Sequence, residues 1–145
     1  MDFIIDVDGT LADCSHRLHW IKSKPKNWKA FYAGIEHDNP IAPVVAMVRT
    51  LDEGCNIVFC SGRPEDYRDT TQKWLDTHVG VVAPLYMRPK GDYRSDDVVK
   101  LELLERIRAD GYDPRAAFDD RKRVKKMWVE QGIFVFDVNQ TDAEF

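Results

Sequence analysis

Long apolar runs are what this sequence most plainly lacks. None approaches the length a helix needs to cross a bilayer, and the opening Met1-Asp2-Phe3-Ile4-Ile5-Asp6 carries no basic stretch or cleavage signal, so a cytoplasmic protein with no membrane partner is expected. Cysteine is scarce. Cys14, Cys55 and Cys60 are odd in number and fit neither a zinc pattern nor a disulfide framework, which leaves reduced thiols. His16 and His19 have no carboxylate or cysteine at ligand spacing, which argues against zinc. No Gly-x-x-x-x-Gly-Lys-Ser/Thr stretch occurs, so the chain has no triphosphate-cradling loop. Excess positive charge is missing too: the net charge of −4 argues against a long nucleic-acid groove. It leaves room for a short one. Lys22, Lys24, Lys26 and Lys29 cluster, as do Arg121, Lys122, Arg123, Lys125 and Lys126, although such runs are more often solvated helix faces.

What is present suits one globular domain spanning 1–145. The chain has 145 residues, 43% hydrophobic and 32% charged, enough to bury a core without drifting toward disorder. Its organising stretch is Asp6-Val7-Asp8-Gly9-Thr10. Phe3, Ile4 and Ile5 read as a buried strand that ends abruptly in carboxylates. If the extended backbone continues to Asp8, residues two apart share a side, so Asp6 and Asp8 face the same way and Gly9 turns the chain. Acids side by side repel unless a cation lies between them, so the pair reads as half of a divalent-metal site. An aspartate is also ionised at neutral pH and can attack phosphorus without a separate base. The bland alternative is a strand with a solvated acidic end.

The segment from about 13 to 43 looks unlike the rest and reads as a small insert lying over that strand end. Trp28, Phe31 and Tyr32 sit at i, i+3, i+4 on a short helix, either as the insert's own core or as a base-stacking surface. Val44 to Leu51 has helical spacing. Asn56 to Cys60 is a second buried strand, ending in Ser61-Gly62-Arg63, after which Pro64 opens a helix running to about His78. That puts a hydroxyl, a glycine amide and a guanidinium before a helix N-terminus, where a phosphate would be cradled. Val82 to Met87 is a shorter strand. A polar loop follows, and a helix carries Asp96 and Lys100 four residues apart on one face, a spacing that also suits a simple surface pair. Ala116-Ala117-Phe118 is a strand ending in Asp119-Asp120. Arg121 to Gln131 is a helix, and Ile133 to Val138 is the last strand.

Strand and helix alternate, which implies an α/β fold with a three-layer, Rossmann-like parallel sheet. In such sheets ligands collect at the carboxyl ends of the strands, where strand order reverses. Asp6, Asp8, Ser61, Arg63, Asp119 and Asp120 all follow strand-like runs at that end. The inventory suits phosphoryl transfer: acids hold Mg²⁺, one acid attacks in line, and Ser, Arg and Lys neutralise the phosphoryl oxygens. Without Lys100 and a metal, the carboxylates would repel a phosphate dianion, so Lys100 is given a functional role.

In its motifs the sequence resembles the haloacid dehalogenase superfamily of phosphohydrolases. Asp6-Val7-Asp8-Gly9-Thr10 looks like its first motif, Ser61 its second, Lys100 its third and Asp119-Asp120 its fourth. Within the superfamily the pattern is most similar to the 3′-phosphatase domains of bacteriophage polynucleotide kinase-phosphatases. It runs through Asp6 to Ala12, Ser61-Gly62-Arg63, Gly91 to Arg94, Asp96 to Lys100, Asp119-Asp120-Arg121 and Met127-Trp128, and departs from them in the insert. The resemblance implies a HAD-like sheet with a cap insert after the first strand. It implies Asp6 as nucleophile forming an aspartyl-phosphate and Asp8 as the acid for the leaving oxygen and later the base for water. Thr10, Ser61, Gly62, Arg63 and Lys100 would hold the phosphate, with Asp96 positioning Lys100 or Arg63 and Arg17 matching a cap arginine. Asp6, Asp119 and Asp120, with the Asp8 carbonyl, would hold Mg²⁺.

A stand-alone Mg²⁺-dependent phosphomonoesterase is therefore expected, acting on nucleotide-type phosphates and foremost on 3′-phosphate nucleic-acid ends. A 5′- or 3′-mononucleotide phosphatase is the alternative. A phospho-accepting receiver-like signalling domain also combines acids, a hydroxyl and a lysine, but there the acidic pair follows the first strand. A non-catalytic module of the same fold is disfavoured because every motif position keeps its functional residue.

Overall fold

In this computed structural model, which describes residues 1–141, the apolar run after Met1 becomes β1 (Asp2–Ile5) at the centre of a parallel sheet. Ile4 and Ile5 are fully buried, each worth about 1.5–3 kcal/mol of transfer free energy. On one side of β1 lie β4 (Asn56–Pro64) and then β5 (Leu85–Arg88). On the other lie β6 (Pro114–Asp119) and β7 (Phe134–Asp137), giving the order β5-β4-β1-β6-β7 with every neighbouring pair parallel. Strand order therefore reverses at β1, and the residues leaving its carboxyl end stand at the switch point where such sheets bind ligands.

Alternation along β1 divides the core into two layers. Phe3 and Ile5 pack with Val45 and Val48 of α3 (Ala42–Asp52) and Trp74 and Leu75 of α4 (Arg68–His78). Ile4 points to the other face, against Val99 and Leu103 of α5 (Asp96–Ala109) and Val124 and Trp128 of α6 (Lys122–Glu130). The three-layer parallel α/β arrangement expected from the alternation is the one observed.

The segment between β1 and α3 is irregular. It holds the two-residue strands β2 (Ala12–Asp13) and β3 (Asn39–Pro40), which pair antiparallel, the short helices α1 (His19–Lys22) and α2 (Trp28–Ala33), and two 3-10 turns at Ser15–Arg17 and Ile35–His37. Pairing β2 with β3 brings both ends of the insert back beside the end of β1.

Two elements differ from the sequence reading. Pro64 does not open a helix: β4 continues through Ser61-Gly62-Arg63 to Pro64, with a register irregularity against β5, a 3-10 turn follows at Glu65–Tyr67, and α4 begins at Arg68. The third strand starts at Leu85 rather than Val82, whose side chain is fully exposed and has nothing to pack against. The tail beyond residue 141 lies outside the described residues.

Candidate active site

The floor of the site is built by the ends of β1 and β6. Val7 accepts three backbone N–H bonds, from Thr10, Leu11 and Ala12, and Gly9 takes a left-handed φ of +80° to make that turn. A side chain at Gly9 would also collide with Asp120, because a Cβ there would lie 2.1 Å from Asp120 Oδ2. The turn returns Thr10 to Asp6, and the Thr10 hydroxyl donates to Asp6 Oδ2 at 2.9 Å. From α5, Lys100 Nζ donates to Asp6 Oδ1 at 2.7 Å and to Asp119 Oδ2 at 3.0 Å. Trp128 Nε1 of α6 and the Arg121 amide also donate to Asp119.

Asp6, Asp119 and Asp120 are all buried, and each offers a carboxylate oxygen such that the three lie within 4.8 Å of one another. Burial and the Asp119 charge push the Asp6 carboxyl upward, against the pull of Lys100. Burial and the charges of Asp6 and Asp119 push Asp120 upward too. Lys100 is shifted well above the ordinary lysine value: burial opposes its charge, but Asp119 and Asp6 outweigh burial. One ammonium cannot balance three buried carboxylates, and an all-oxygen donor set suits a hard divalent cation.

Asp8, two residues on, stands in the opposite environment. Arg63 from β4 donates Nε to both Asp8 oxygens at 3.1 Å and Nη2 to Oδ1 at 2.5 Å. Arg17 from the insert adds Nη2 to Oδ1 at 2.7 Å. Both arginines also bond the fully buried Asp38: Arg17 at 2.8 and 2.6 Å, and Arg63 at 3.3 Å. His16 Nε2 lies 2.6 Å from Asp38 Oδ1, Trp74 Nε1 donates to the Asp38 carbonyl, and Thr71 takes the remaining Arg63 nitrogen. Burial alone would raise the Asp8 carboxyl, but the Arg63 and Arg17 guanidiniums outweigh it and hold Asp8 far below the usual carboxylate range.

A third cluster closes the β5 side. Asp96, in the first turn of α5, is paired with Arg88 on one oxygen and Arg121 on the other. Arg88 Nε also donates to the Gly62 carbonyl at 2.7 Å. Gly62 lets Asp96 come this close, since a Cβ there would lie 2.6 Å from Asp96 Oδ1. Above the floor is a cavity of about 450 Å³, within the usual range for small-molecule sites. Its base is Asp6, Asp8, Lys100, Asp119 and Asp120, and its aromatic side is Trp28, Phe31 and Tyr32 of the insert with Tyr67 of the 3-10 turn after β4. Tyr32 stacks on Trp28 and lies 4.8 Å from Tyr67 between ring centroids, so the aromatic face of α2 serves both the insert's packing and the cavity wall.

Every site residue picked from sequence converges on this region, but several have other partners than expected. The Asp6 and Asp8 carboxylates do not pair off as expected: the regular strand ends at Ile5, and the Asp8 carboxylate is taken by Arg17 of the insert and Arg63 of β4, while Asp6 lies with Asp119 and Asp120. Arg63 is 1% exposed and is committed to Asp8, Asp38 and Thr71, so it clamps Asp8 instead of reaching into the cavity. Asp96 bonds Arg88 and Arg121, not Lys100 or Arg63. Ser61 and Thr10 are buried and do not line the cavity: Thr10 bonds Asp6, and the Ser61 oxygen accepts from the Arg63 amide. Sequence reasoning missed Asp38 and Arg88 as site residues, and it found Trp128 in the motif pattern without its bond to Asp119.

The polynucleotide kinase PNKP phosphatase domain family matches residues 2–143. A curated relative from Autographa californica nuclear polyhedrosis virus, named "Putative bifunctional polynucleotide kinase/RNA ligase", is 30% identical over 147 residues, covering 98% of this chain and 20% of that protein. A chain of the solved Pnkp1/Rnl/Hen1 RNA repair complex superposes with a TM-score of 0.79 at 28% identity, covering 98% of this chain and 43% of that one. A haloacid dehalogenase-like hydrolase from Streptococcus pneumoniae shares the fold, with a TM-score of 0.67 at 14% identity over 94% of this chain and 83% of its own. The chain thus spans a fifth of the curated relative and under half of the repair-complex chain.

Proposed function

The chain belongs to the polynucleotide kinase PNKP phosphatase domain family, a haloacid dehalogenase-type phosphatase, and from that premise we propose that it removes phosphate from 3′-phosphorylated polynucleotide ends with magnesium as cofactor. The observation that carries this reading is the Asp6 carboxylate at the base of the cavity, held by Lys100 at 2.7 Å and Thr10 at 2.9 Å, with two further acids beside it. The names of the similar viral protein and of the RNA repair complex support a nucleic-acid end as substrate.

In this mechanism an Asp6 oxygen forms a bond to phosphorus as the bond to the sugar 3′-oxygen breaks, leaving an aspartyl-phosphate and a 3′-hydroxyl. The leaving oxygen takes its proton from Asp8. Asp8 then removes a proton from water as that water attacks the aspartyl-phosphate, which releases inorganic phosphate and restores Asp6. Two guanidiniums keep Asp8 ionised in the free protein, and an arriving phosphate dianion adds the negative charge that raises its affinity for a proton. Lys100, beneath the phosphoryl group, counters its charge. Asp6, Asp119 and Asp120 would hold the magnesium ion, which supplies charge neutralisation for phosphate and carboxylates alike.

The test is phosphate release from a 3′-phosphorylated oligonucleotide, 3′- and 5′-mononucleotides and sugar phosphates, with Mg²⁺ and with a chelator. Many phosphates per chain, the oligonucleotide first in kcat/KM, and loss of activity on chelation are expected. Asp6→Asn should fold and release none. A single phosphate per chain, or a preference for sugar phosphates, overturns the reading.

A further inference from the structure

Beside the cavity runs a second groove that shares a wall with it, for Trp28, Arg88, Tyr93, Arg94 and Arg121 line both. Beyond that wall it is bordered by Lys26 of the insert and by Lys122, Arg123 and Lys126 of α6. Lys122, Arg123 and Lys126 are exposed because Val124, Met127 and Trp128 occupy the inner face of α6. The groove's acidic lining residue is Asp96, already paired with Arg88 and Arg121. Arg94 is paired with Asp92 and Glu102, so the charge offered to a ligand is carried mainly by Arg123, Lys126 and Lys26. On a chain of net charge −4, this is a local concentration of positive charge that bulk composition does not supply.

Two aromatic side chains stand where the groove meets the cavity. Tyr93 is 94% exposed, and Trp28 is 41% exposed with Lys26 Nζ 5.6 Å from its ring centroid. Tyr93 has almost no packing to account for it. An exposed ring beside a positively charged furrow is the pairing that binds single-stranded nucleic acid, where bases stack on aromatics and the backbone follows the charge.

We propose that this groove holds the single-stranded segment leading to the scissile phosphate, with bases stacking on Tyr93 and Trp28 and backbone phosphates beside Arg123, Lys126 and Lys26. The inference rests on the 3′-end reading above and adds that the substrate is recognised as a strand of roughly four nucleotides, at the short end of sites of this kind. Groove and catalytic centre then have separable roles: the centre reads the terminal phosphate, and the groove reads the chain behind it.

The experiment uses the full chain, a length series of 3′-phosphorylated single strands from one to eight nucleotides, and the double variant Arg123→Glu, Lys126→Glu. KM should fall as length grows to about four nucleotides and then level off. The double variant should raise KM for the longer strands about tenfold or more and flatten the salt dependence by about two in log–log slope, leaving kcat and the rate on the 3′-mononucleotide unchanged. Tyr93→Ala should raise KM for long strands without changing the salt slope. A length-independent KM, or an equal loss on the mononucleotide, overturns the proposal, as does a blunt 3′-phosphorylated duplex that serves as well as the single strand. Anisotropy of labelled strands without a terminal phosphate separates the two readings. Binding that the double variant abolishes, in a protein that hydrolyses no 3′-phosphate, supports the groove while the catalytic assignment falls; hydrolysis without such binding does the reverse.

Discussion

On the sheet side of the site, Asp6 shares a buried pocket with two other carboxylates and one lysine; on the cap side, two residues later, Asp8 is held between two arginines. The same residue type is pushed toward protonation in one place and toward ionisation in the other. The cause lies in where the neighbours come from. Asp6 is surrounded by what the sheet itself brings to a switch point, namely the end of β6 and the first turns of α5. Asp8 is surrounded by what the insert and the end of β4 lay across that point. An acid-rich floor needs a cation, while the cap wall is nearly self-neutralising, with Asp8 and Asp38 against Arg17 and Arg63.

Removing the Asp8 carboxylate gives the largest effect that separates the two sides. Asp8→Asn should lower kcat on a 3′-phosphorylated oligonucleotide by about 10²–10⁴, the usual contribution of a positioned acid–base group. On an aryl phosphate, whose phenolate departs without a proton, attack by Asp6 should survive while attack by water fails, so a burst of about one phenol per chain should precede a slow rate. No burst, with equal loss on both substrates, would show that Asp8 does not protonate the leaving group.

Asp38 tests whether the cap wall is held as argued. It lies outside the cavity lining but bonds both arginines, so Asp38→Asn leaves two guanidiniums sharing one carboxylate. Breaking one partner out of a buried charge cluster costs about 3–5 kcal/mol, and a shifted Asp8 should lower kcat by up to about 10²-fold with little change in KM. Its signature is the pH profile of kcat, which should move because the clamp on Asp8 changes. A variant of unchanged stability and profile would mean that the cap is fixed by its aromatic packing alone.

The floor could be read from the sequence and the wall could not, for physical reasons. Asp6, Lys100, Asp119 and Asp120 each sit one or a few residues beyond an apolar run or on a helix face whose period is visible, so local pattern and topology together place them. Asp38 lies in His37-Asp38-Asn39-Pro40, which reads as an ordinary turn, and its partners are 21 residues back across the irregular insert and 25 residues on, beyond α3 and most of β4. Arg63 was visible, but its direction was not, because it depended on β4 running on to Pro64 where the sequence suggested a helix start. Arg88 ends a short strand, and its pairing with Asp96 follows only once Gly62 is seen to leave room for that carboxylate.

The smallest predicted effect lies at the far end of β1 and isolates the role of charge. Asp2 is half-buried, and its carboxylate accepts from the Asn56 amide at 2.8 Å and the Asp113 backbone N–H at 2.7 Å. These donors, with Asn56 the larger influence, hold its pKa below the ordinary value. Asp8 is lowered by guanidinium charge, whereas Asp2 is lowered chiefly by neutral donors at a partly solvated strand end. A carboxyl with a depressed folded-state pKa stabilises the protein above its unfolded value, near 3.9, and that contribution disappears as pH falls through the folded value. The stability difference between the wild type and Asp2→Asn should therefore be constant from pH 5 to 7 and shrink below about pH 4. Partial access to solvent keeps it to about 1 kcal/mol. Because the contacts are made by neutral donors, the difference measured by urea unfolding should persist in high salt. A difference that instead collapsed with salt at neutral pH would show that unlike charges, not neutral donors, govern this end of the strand as they govern Asp8.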